Sequence, residues 1–260
     1  MVVLTTSAAG CLLTSDFDGI VGMRPGSEGG VPIDDSGAFD GGSTTDGSDA
    51  AADFCSTGNH VVCTTFDHPA PPLPVPGWNH DTQGTATLTI DTTSSVSPPG
   101  SLRARVTGAT NVAAYLYRQV FVGQPTTLTM TFDFRVYACP AQGNSLTLAY
   151  LQLAPQTAFA MAILSSGVYA AGTRAGAGTD TFFPLEKQLT TAWSHVVMRI
   201  DRKDATTAHV NVTVDGARGI DTDAQTTAWQ EMALLNVGAN GSAASKTCEV
   251  AFDNFVLDRE

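Results

Sequence analysis

Beyond residue 60 the chain alternates apolar and polar positions with a period of two. In 126–138, Leu128, Met130, Phe132, Phe134 and Val136 alternate with Thr127, Thr129, Thr131, Asp133 and Arg135. Successive side chains of an extended strand point to opposite faces, so this stretch predicts a strand with one face in a core and one toward solvent. HVNVTVDG repeats the pattern with Val210, Val212 and Val214, then reaches Asp215-Gly216, a pair suited to a tight hairpin turn. Runs rich in Thr, Val, Leu and aromatics, broken at Gly, Pro or Asp, predict further strands at 62–66, 85–91, 101–107, 111–122, 145–153, 158–164, 167–171, 192–201, 231–238 and 247–257. No segment sustains apolar residues at i, i+3 and i+4 between caps, so no long helix is expected. About twelve strands in some 200 residues predict an all-β fold of two packed antiparallel sheets. The absence of a sequence repeat argues against a propeller or a β-helix.

The alternation stops before residue 54, and charge changes the picture there. Of the formal net charge of −12, residues 12–53 supply −8: nine acids face one base, Arg24. The segment is dense in Gly and Ser, and its acids follow no fixed period that would suit a calcium repeat. It has too few large apolar side chains to offset the entropy of ordering its backbone. The expectation is a disordered, self-repelling tether, spanning roughly 35–40 Å as a flexible coil. With 25 Asp+Glu against 13 Lys+Arg, the chain lacks the basic face that nucleic-acid binding needs. No run of apolar residues is long enough to cross a bilayer as a helix.

The opening MVVLTTSAAGC is small and apolar, and its Ala8-Ala9-Gly10-Cys11 resembles a bacterial lipobox. There the peptide is cut before the Cys, whose thiol receives a diacylglycerol. No Lys or Arg precedes the apolar run, and the run is short, as it would be if translation started further upstream. Residues 1–11 are therefore expected to be a lipoprotein signal, 12–53 a spacer and 54–260 the folded domain. The lipidated Cys11 would anchor that domain to a membrane of the cell envelope. With Cys11 so used, Cys55, Cys63, Cys139 and Cys248 remain, and four cysteines allow three pairings. Cys55 and Cys63 lie eight apart in a natural small loop, which would leave Cys139 to pair with Cys248 across most of the domain. No C-x-x-C or H-x-x-x-H spacing favours zinc. Disulfides imply an oxidising, secreted location.

Five segments in order resemble a concanavalin A-like (LamG-like) jelly roll. TTFDHPAPPLPVPGW resembles the opening strand of such domains, with Phe66-Asp67 and Trp78, and PPGSLRARV the next. TAWSHVVMRID is similar to their W-x-x-V-x-x-x-I-D strand, through Trp193, Val196, Ile200 and Asp201. VNVTVDG resembles the hairpin that follows it, and CEVAFDNFVL the closing strand. The likeness covers about 64–257. It implies a sandwich whose first and last strands meet, with a tendency to bind glycans or proteins. It also implies a structural Ca²⁺ where the chain ends meet, held by Asp67, the Gly100 carbonyl and Asp253, since Ca²⁺ gathers six to eight oxygens.

Enzymes of this fold carry recognisable chemistry. The glucanase pattern E-x-D-x-x-E, which sets two carboxylates on one face of a strand, is missing, as are the Gln-x-His and Tyr-Lys-x-Gly-x-Tyr strands of alginate lyases. No G-x-S-x-G elbow occurs. Asp221 and Asp223 are the nearest paired carboxylates, in a segment that reads as a solvated turn. A ligand face is sought instead among outward residues of the middle strands: Tyr115, Tyr117, Asp133, Arg135, Tyr137, His195 and Arg199. Aromatic rings beside hydrogen-bonding groups suit sugar stacking. The sequence thus predicts an envelope lipoprotein that binds a glycan or a surface partner without catalysis. A carbohydrate-active hydrolase or lyase is the first rival, and a structural envelope protein the second.

Overall fold

Alternation of side chains sets the architecture, a two-sheet antiparallel jelly-roll sandwich. The computed structural model describes residues 54–56, 58–67, 73, 75–108, 112–139, 146–164, 168–175, 179–188, 190–241 and 247–260. Cys11 and the acidic segment 12–53 lie outside the described residues. The strands are β1 (Val62–Thr64), β2 (Asn79–Gln83), β3 (Thr85–Asp91), β4 (Ser101–Thr107), β5 (Val112–Phe121), β6 (Thr127–Ala138), β7 (Leu146–Ala154) and β8 (Thr157–Ile163). There follow β9 (Val168–Ala175), β10 (Thr179–Gln188), β11 (Ser194–Arg202), β12 (Thr207–Val214), β13 (Ala217–Gln225), β14 (Met232–Gly241) and β15 (Thr247–Arg259). One sheet, A, runs β13-β12-β11-β6-β15-β4-β3, with β1 also paired to β15; the other, B, runs β10-β9-β8-β7-β14-β5-β2.

The inward positions of the two sheets make one core. Leu128, Met130, Phe132 and Phe134 of β6, Val196, Met198 and Ile200 of β11, and Val210, Val212 and Val214 of β12 are all buried in it, as alternation requires. At its centre Phe132 lies 6.1 Å from Phe134, 6.3 Å from Phe252 and 6.1 Å from Phe255, and Trp78 meets Phe255 edge-on at 5.7 Å. Aromatic rings so arranged add attraction beyond their buried area.

The closing strand organises sheet A. β15 lies beside β6 on one flank; on the other it pairs first with β4, over Thr247–Phe252, then with β1, where Thr64 faces Phe255. The two ends of the domain therefore lie side by side. The change of partner falls at a bulge between Asp253 and Val256, where Asn254 takes the left-handed conformation (φ 49°). Disulfides join Cys55 to Cys63 and Cys139 to Cys248. The second ties the end of β6 to the start of its neighbour β15.

Three strands were not expected: β2, β10 and β13. All three are sheet edges, β13 of sheet A and β2 and β10 of sheet B. An edge strand is paired on one side and solvated on the other, so its sequence need not carry an apolar face. β2 reads NHDTQ with no buried residue, β10 holds Pro184, and β13 reads ARGIDTDAQ. Asp221 and Asp223 consequently sit in a strand, opposite Asn211 and His209 of β12, and not in a turn.

Candidate functional site

Parity divides the expected ligand set. On β5, Ala114 and Leu116 enter the core, so Tyr115 and Tyr117 face outward from sheet B. Asp133, Arg135 and Tyr137 alternate with Phe132, Phe134 and Val136, and His195 and Arg199 with Val196, Met198 and Ile200. Those five face outward from sheet A. The seven residues thus lie on opposite outer faces of the sandwich and form no common groove.

The sheet A residues are engaged with one another. His195 Nδ1 meets Asp133 Oδ1 at 2.8 Å, and the Asn254 amide donates to Asp133 Oδ2 at 2.7 Å. Arg103 bridges Asp91 (2.8 Å) and Glu249. The Tyr137 ring sits between the guanidinium groups of Arg103 and Arg135, 4.4 and 4.7 Å from its centre. Arg199 pairs with Asp201 at 3.0 Å, and His209 lies between Asp221 (2.6 Å) and Asp223 (2.8 Å). Burial raises the Asp91 carboxyl, but hydrogen bonds from Thr93 and the Arg103 charge outweigh it and hold the group below the usual carboxylate range. A ligand on this face would have to displace pairs that already satisfy each other.

The outer face of sheet B has a different composition. One register row crosses the sheet: Asn79 of β2, Tyr117 of β5, Asn236 of β14, Tyr150 of β7, Ala160 of β8, Gly172 of β9 and Phe182 of β10. The next row toward the start of β5 holds Asp81, Tyr115 and Gly238. Tyr115 and Tyr117 meet edge-on at 6.1 Å, and the Tyr115 hydroxyl donates to Asp81 Oδ2 at 3.3 Å. Burial, then the Asp81 charge, push the Tyr115 phenol far up, so it stays protonated at any working pH. Across the sheet Tyr150, Ala158 and Ala160 pack with Phe182 as a small cluster apart from the main core.

Two glycines shape this face. Gly238 has φ +146°, and a Cβ there would stand 2.3 Å from the Ala114 carbonyl oxygen and 2.6 Å from Tyr115 Cα. A Cβ at Gly172 would stand 2.7 Å from the Phe182 ring, which lies over that position. Between Tyr115 and Tyr150 is a shallow open depression with room for about one water; Thr147, Asn236, Gly238 and Asn240 also line it. Asn236 is buried (7% exposed), and its side-chain oxygen has no hydrogen-bond partner among the described residues. An unmet buried acceptor costs free energy unless a water or a ligand supplies a donor.

Sequence reasoning found Tyr115 and Tyr117 of this face but not Asn79, Asp81, Tyr150, Asn236 or Gly238. β7, LTLAYLQLA, is apolar on both faces and hides its parity, and β2 carries no strand signal. The rows also join strands far apart in the chain, so no local spacing reveals them.

The expected calcium ligands meet only in part. Asp67 Oδ1 accepts the Gly100 N–H at 2.9 Å, so these two residues touch through the amide. Asp67 Oδ2 is buried without a hydrogen-bond partner among the described residues, an oxygen that a cation would satisfy. Asp253 differs: Oδ2 accepts the Val96 and Ser97 amides (2.7 and 2.9 Å), and Oδ1 the Ser97 hydroxyl and the Asn254 amide (3.0 and 2.9 Å). Protein donors already fill that carboxylate, so Asp253 does not fit the role of ligand. Among the described residues no three His, Cys, Asp or Glu side chains cluster as a metal site. A cation at Asp67 would draw its other oxygens from backbone and water.

This architecture recurs among polysaccharide lyases and carbohydrate-related domains. The structure superposes on an endo-β-1,4-glucuronan lyase from the fungus Trichoderma reesei with TM-score 0.55 at 12% identity, over 78% of this chain and 96% of that one. It superposes on the cellulose-induced protein Cip1 with TM-score 0.53 at 14% identity, over 70% and 90% of the two chains. With the alginate lyase AlgAT5, of polysaccharide lyase family 7, the TM-score is 0.50 at 8% identity, over 71% and 94%. At such identities the likeness is one of fold, consistent with the concanavalin A-like class. No protein-family model matches the chain, and no curated protein matches it.

Proposed function

We propose that this protein recognises a polysaccharide on the outer face of sheet B, and that it does so as a binding protein of the cell envelope. The observation that carries this reading is the row Asn79–Tyr117–Asn236–Tyr150 beside a depression with an unmet buried acceptor. The partly exposed Tyr117 ring can stack on a sugar face there, beside the exposed Asn79 amide, which both donates and accepts, while Tyr150 is buried and backs the row. Neighbouring strands are about 4.8 Å apart, so a glycan lying across the edge of the sheet would pass from Asn79 to Tyr117 in about one sugar. The jelly rolls named above, which include polysaccharide lyases, support the same ligand class. Tyr117 stacks on the ligand in this reading. Tyr117→Ala should weaken binding to a retained polysaccharide in affinity electrophoresis by about tenfold, equivalent to about 1.4 kcal/mol, with an unchanged melting temperature. An unaltered affinity would remove the site.

One observation favours a lyase: the Tyr115 hydroxyl lines the depression, where a phenol can exchange a proton with a sugar oxygen. Products with unsaturated ends, seen by ultraviolet absorbance, would establish that reading over simple binding.

Two further elements complete the proposal. Acyl chains on Cys11 hold the domain to the membrane, with residues 12–53 as spacer. The intact mass of the native protein should then exceed that of the cleaved chain by a diacylglycerol, and an unmodified Cys11 thiol would refute the anchor. A structural Ca²⁺ binds at Asp67. Millimolar Ca²⁺ should raise the melting temperature by several degrees, as ligand binding to the native state does. Asp67→Asn should abolish the rise, and no rise in the unaltered protein would dismiss the ion.

A further inference from the structure

We infer that the sheet B site takes a neutral, hydroxyl-rich glycan and not a polyuronate. The inference rests on the glycan-binding reading above and names the class of sugar.

The first argument is charge. Among the described side chains on this outer face, from Asn79 of β2 to Phe182 of β10, Asp81 is the one ionised group, and it is negative. A polyuronate brings one carboxylate per sugar and would need cations along its path. It would meet Asp81 instead, on a chain whose net charge is −12. Like charges brought together in a half-buried site repel more strongly than they would in water.

The second argument is hydrogen-bond valence. Asn236 Oδ1, buried beside the depression and unpartnered among the described residues, can only accept. So can the Asp81 carboxylate, whose Oδ2 takes bonds from Gln83 at 3.0 Å and Tyr115 at 3.3 Å and which accepts further donors at Oδ1. A sugar hydroxyl donates to such atoms. An ionised carboxylate has no proton to offer and would leave Asn236 Oδ1 unmet while burying a charge of its own. Sites that must satisfy a buried polar group discriminate strongly against ligands that cannot.

A consequence follows for chemistry. Elimination across a glycosidic bond needs a carboxylate beside the hydrogen that is removed, to stabilise the carbanion, and a neutral sugar has none. The same feature that selects the ligand therefore argues for binding without cleavage.

The test is calorimetric titration of the full chain at neutral pH and low salt. The probes are neutral β-linked hexasaccharides of glucose, mannose and xylose, and the β-1,4-linked hexauronates of glucuronate and mannuronate. At least one neutral hexasaccharide should bind about tenfold more tightly than either uronate. Asn236→Ala should weaken that binding by about tenfold, as expected when a hydrogen bond of the bound state is lost. Asp81→Asn, at an edge strand remote from the core, should narrow the neutral-over-uronate ratio by about threefold, since one repelling charge is removed. A uronate that binds as tightly as the best neutral sugar, with affinity falling as salt rises, would overturn the inference and leave the glycan site standing. Failure of every hexasaccharide in both classes would overturn the site together with the inference.

Discussion

Replacing Cys139 and Cys248 together by serine should lower the unfolding free energy by about 4–5 kcal/mol, the loss the chain-entropy model assigns to a loop of this size. The two cysteines are 109 residues apart in sequence. In space the bridge joins neighbours, because Glu249 of β15 is paired with Ala138 of β6. It therefore adds little geometry to the native sheet and acts mainly by restricting the unfolded chain. The closed loop contains β7 to β14, five of the seven strands of sheet B. The Cys55–Cys63 bridge spans a separation of only 8, and its removal should cost less, about 2.5 kcal/mol on the same model. Urea denaturation of both double serine variants checks this. Equal losses, or a loss under about 1 kcal/mol for the long loop, would show that the unfolded chain keeps the two segments together without the bond.

How far the sequence reaches is clearest in β6 and β2. β6 is a central strand between β11 and β15, with one wall facing the core, so burial wrote a period of two into its residues. The same held for β11 and β12, whose sequences also carried the likeness, whereas β15 carried the likeness without the alternation, being buried on both faces around its bulge. β2 is an edge with no buried residue, and nothing but its pairing with β5 makes it a strand. The candidate site suffers from the same cause. Tyr115 and Tyr117 were legible as aromatic residues on a strand, yet their partners Asn79, Asp81 and Asn236 come from β2 and β14 and are joined to them only by register. His195 and Asp133 look alike at the level of residue type, and only the direction of the pleat puts them on the far side of the molecule. Alternation says that a strand has two faces; the order of strands within the sheets says which residues share one.

Asp253→Ala is expected to be the most damaging change of one polar residue, and its pH dependence separates two opposing effects. The residue is fully buried at the bulge of β15. Its carboxylate accepts the Val96, Ser97 and Asn254 amides and the Ser97 hydroxyl. It thereby fastens the segment between β3 and β4 to the closing strand. That segment has two more such anchors: Asp91 accepts from Thr93, and Asp67 from Gly100. Alanine would leave three amides without their acceptor, each worth about 1–3 kcal/mol when buried and unpaired. Relief of the buried charge opposes that loss. Burial pushes the Asp253 carboxyl up to about 6, against the pull of those hydrogen bonds. A native carboxyl that keeps its proton to about pH 6, when the unfolded chain releases it near its ordinary value of 3.8, favours folding most below pH 3.8. That contribution is lost as pH rises through 6, by on the order of 3 kcal/mol. The destabilisation caused by alanine should therefore be several kcal/mol at pH 4 and shrink to about 2–3 kcal/mol at pH 7. Denaturant titrations of the two proteins at both pH values give the answer. A penalty that grows from pH 4 to pH 7 would mean that the amides outweigh burial and keep the carboxylate ionised, and the sign of its pKa shift would have to be reversed.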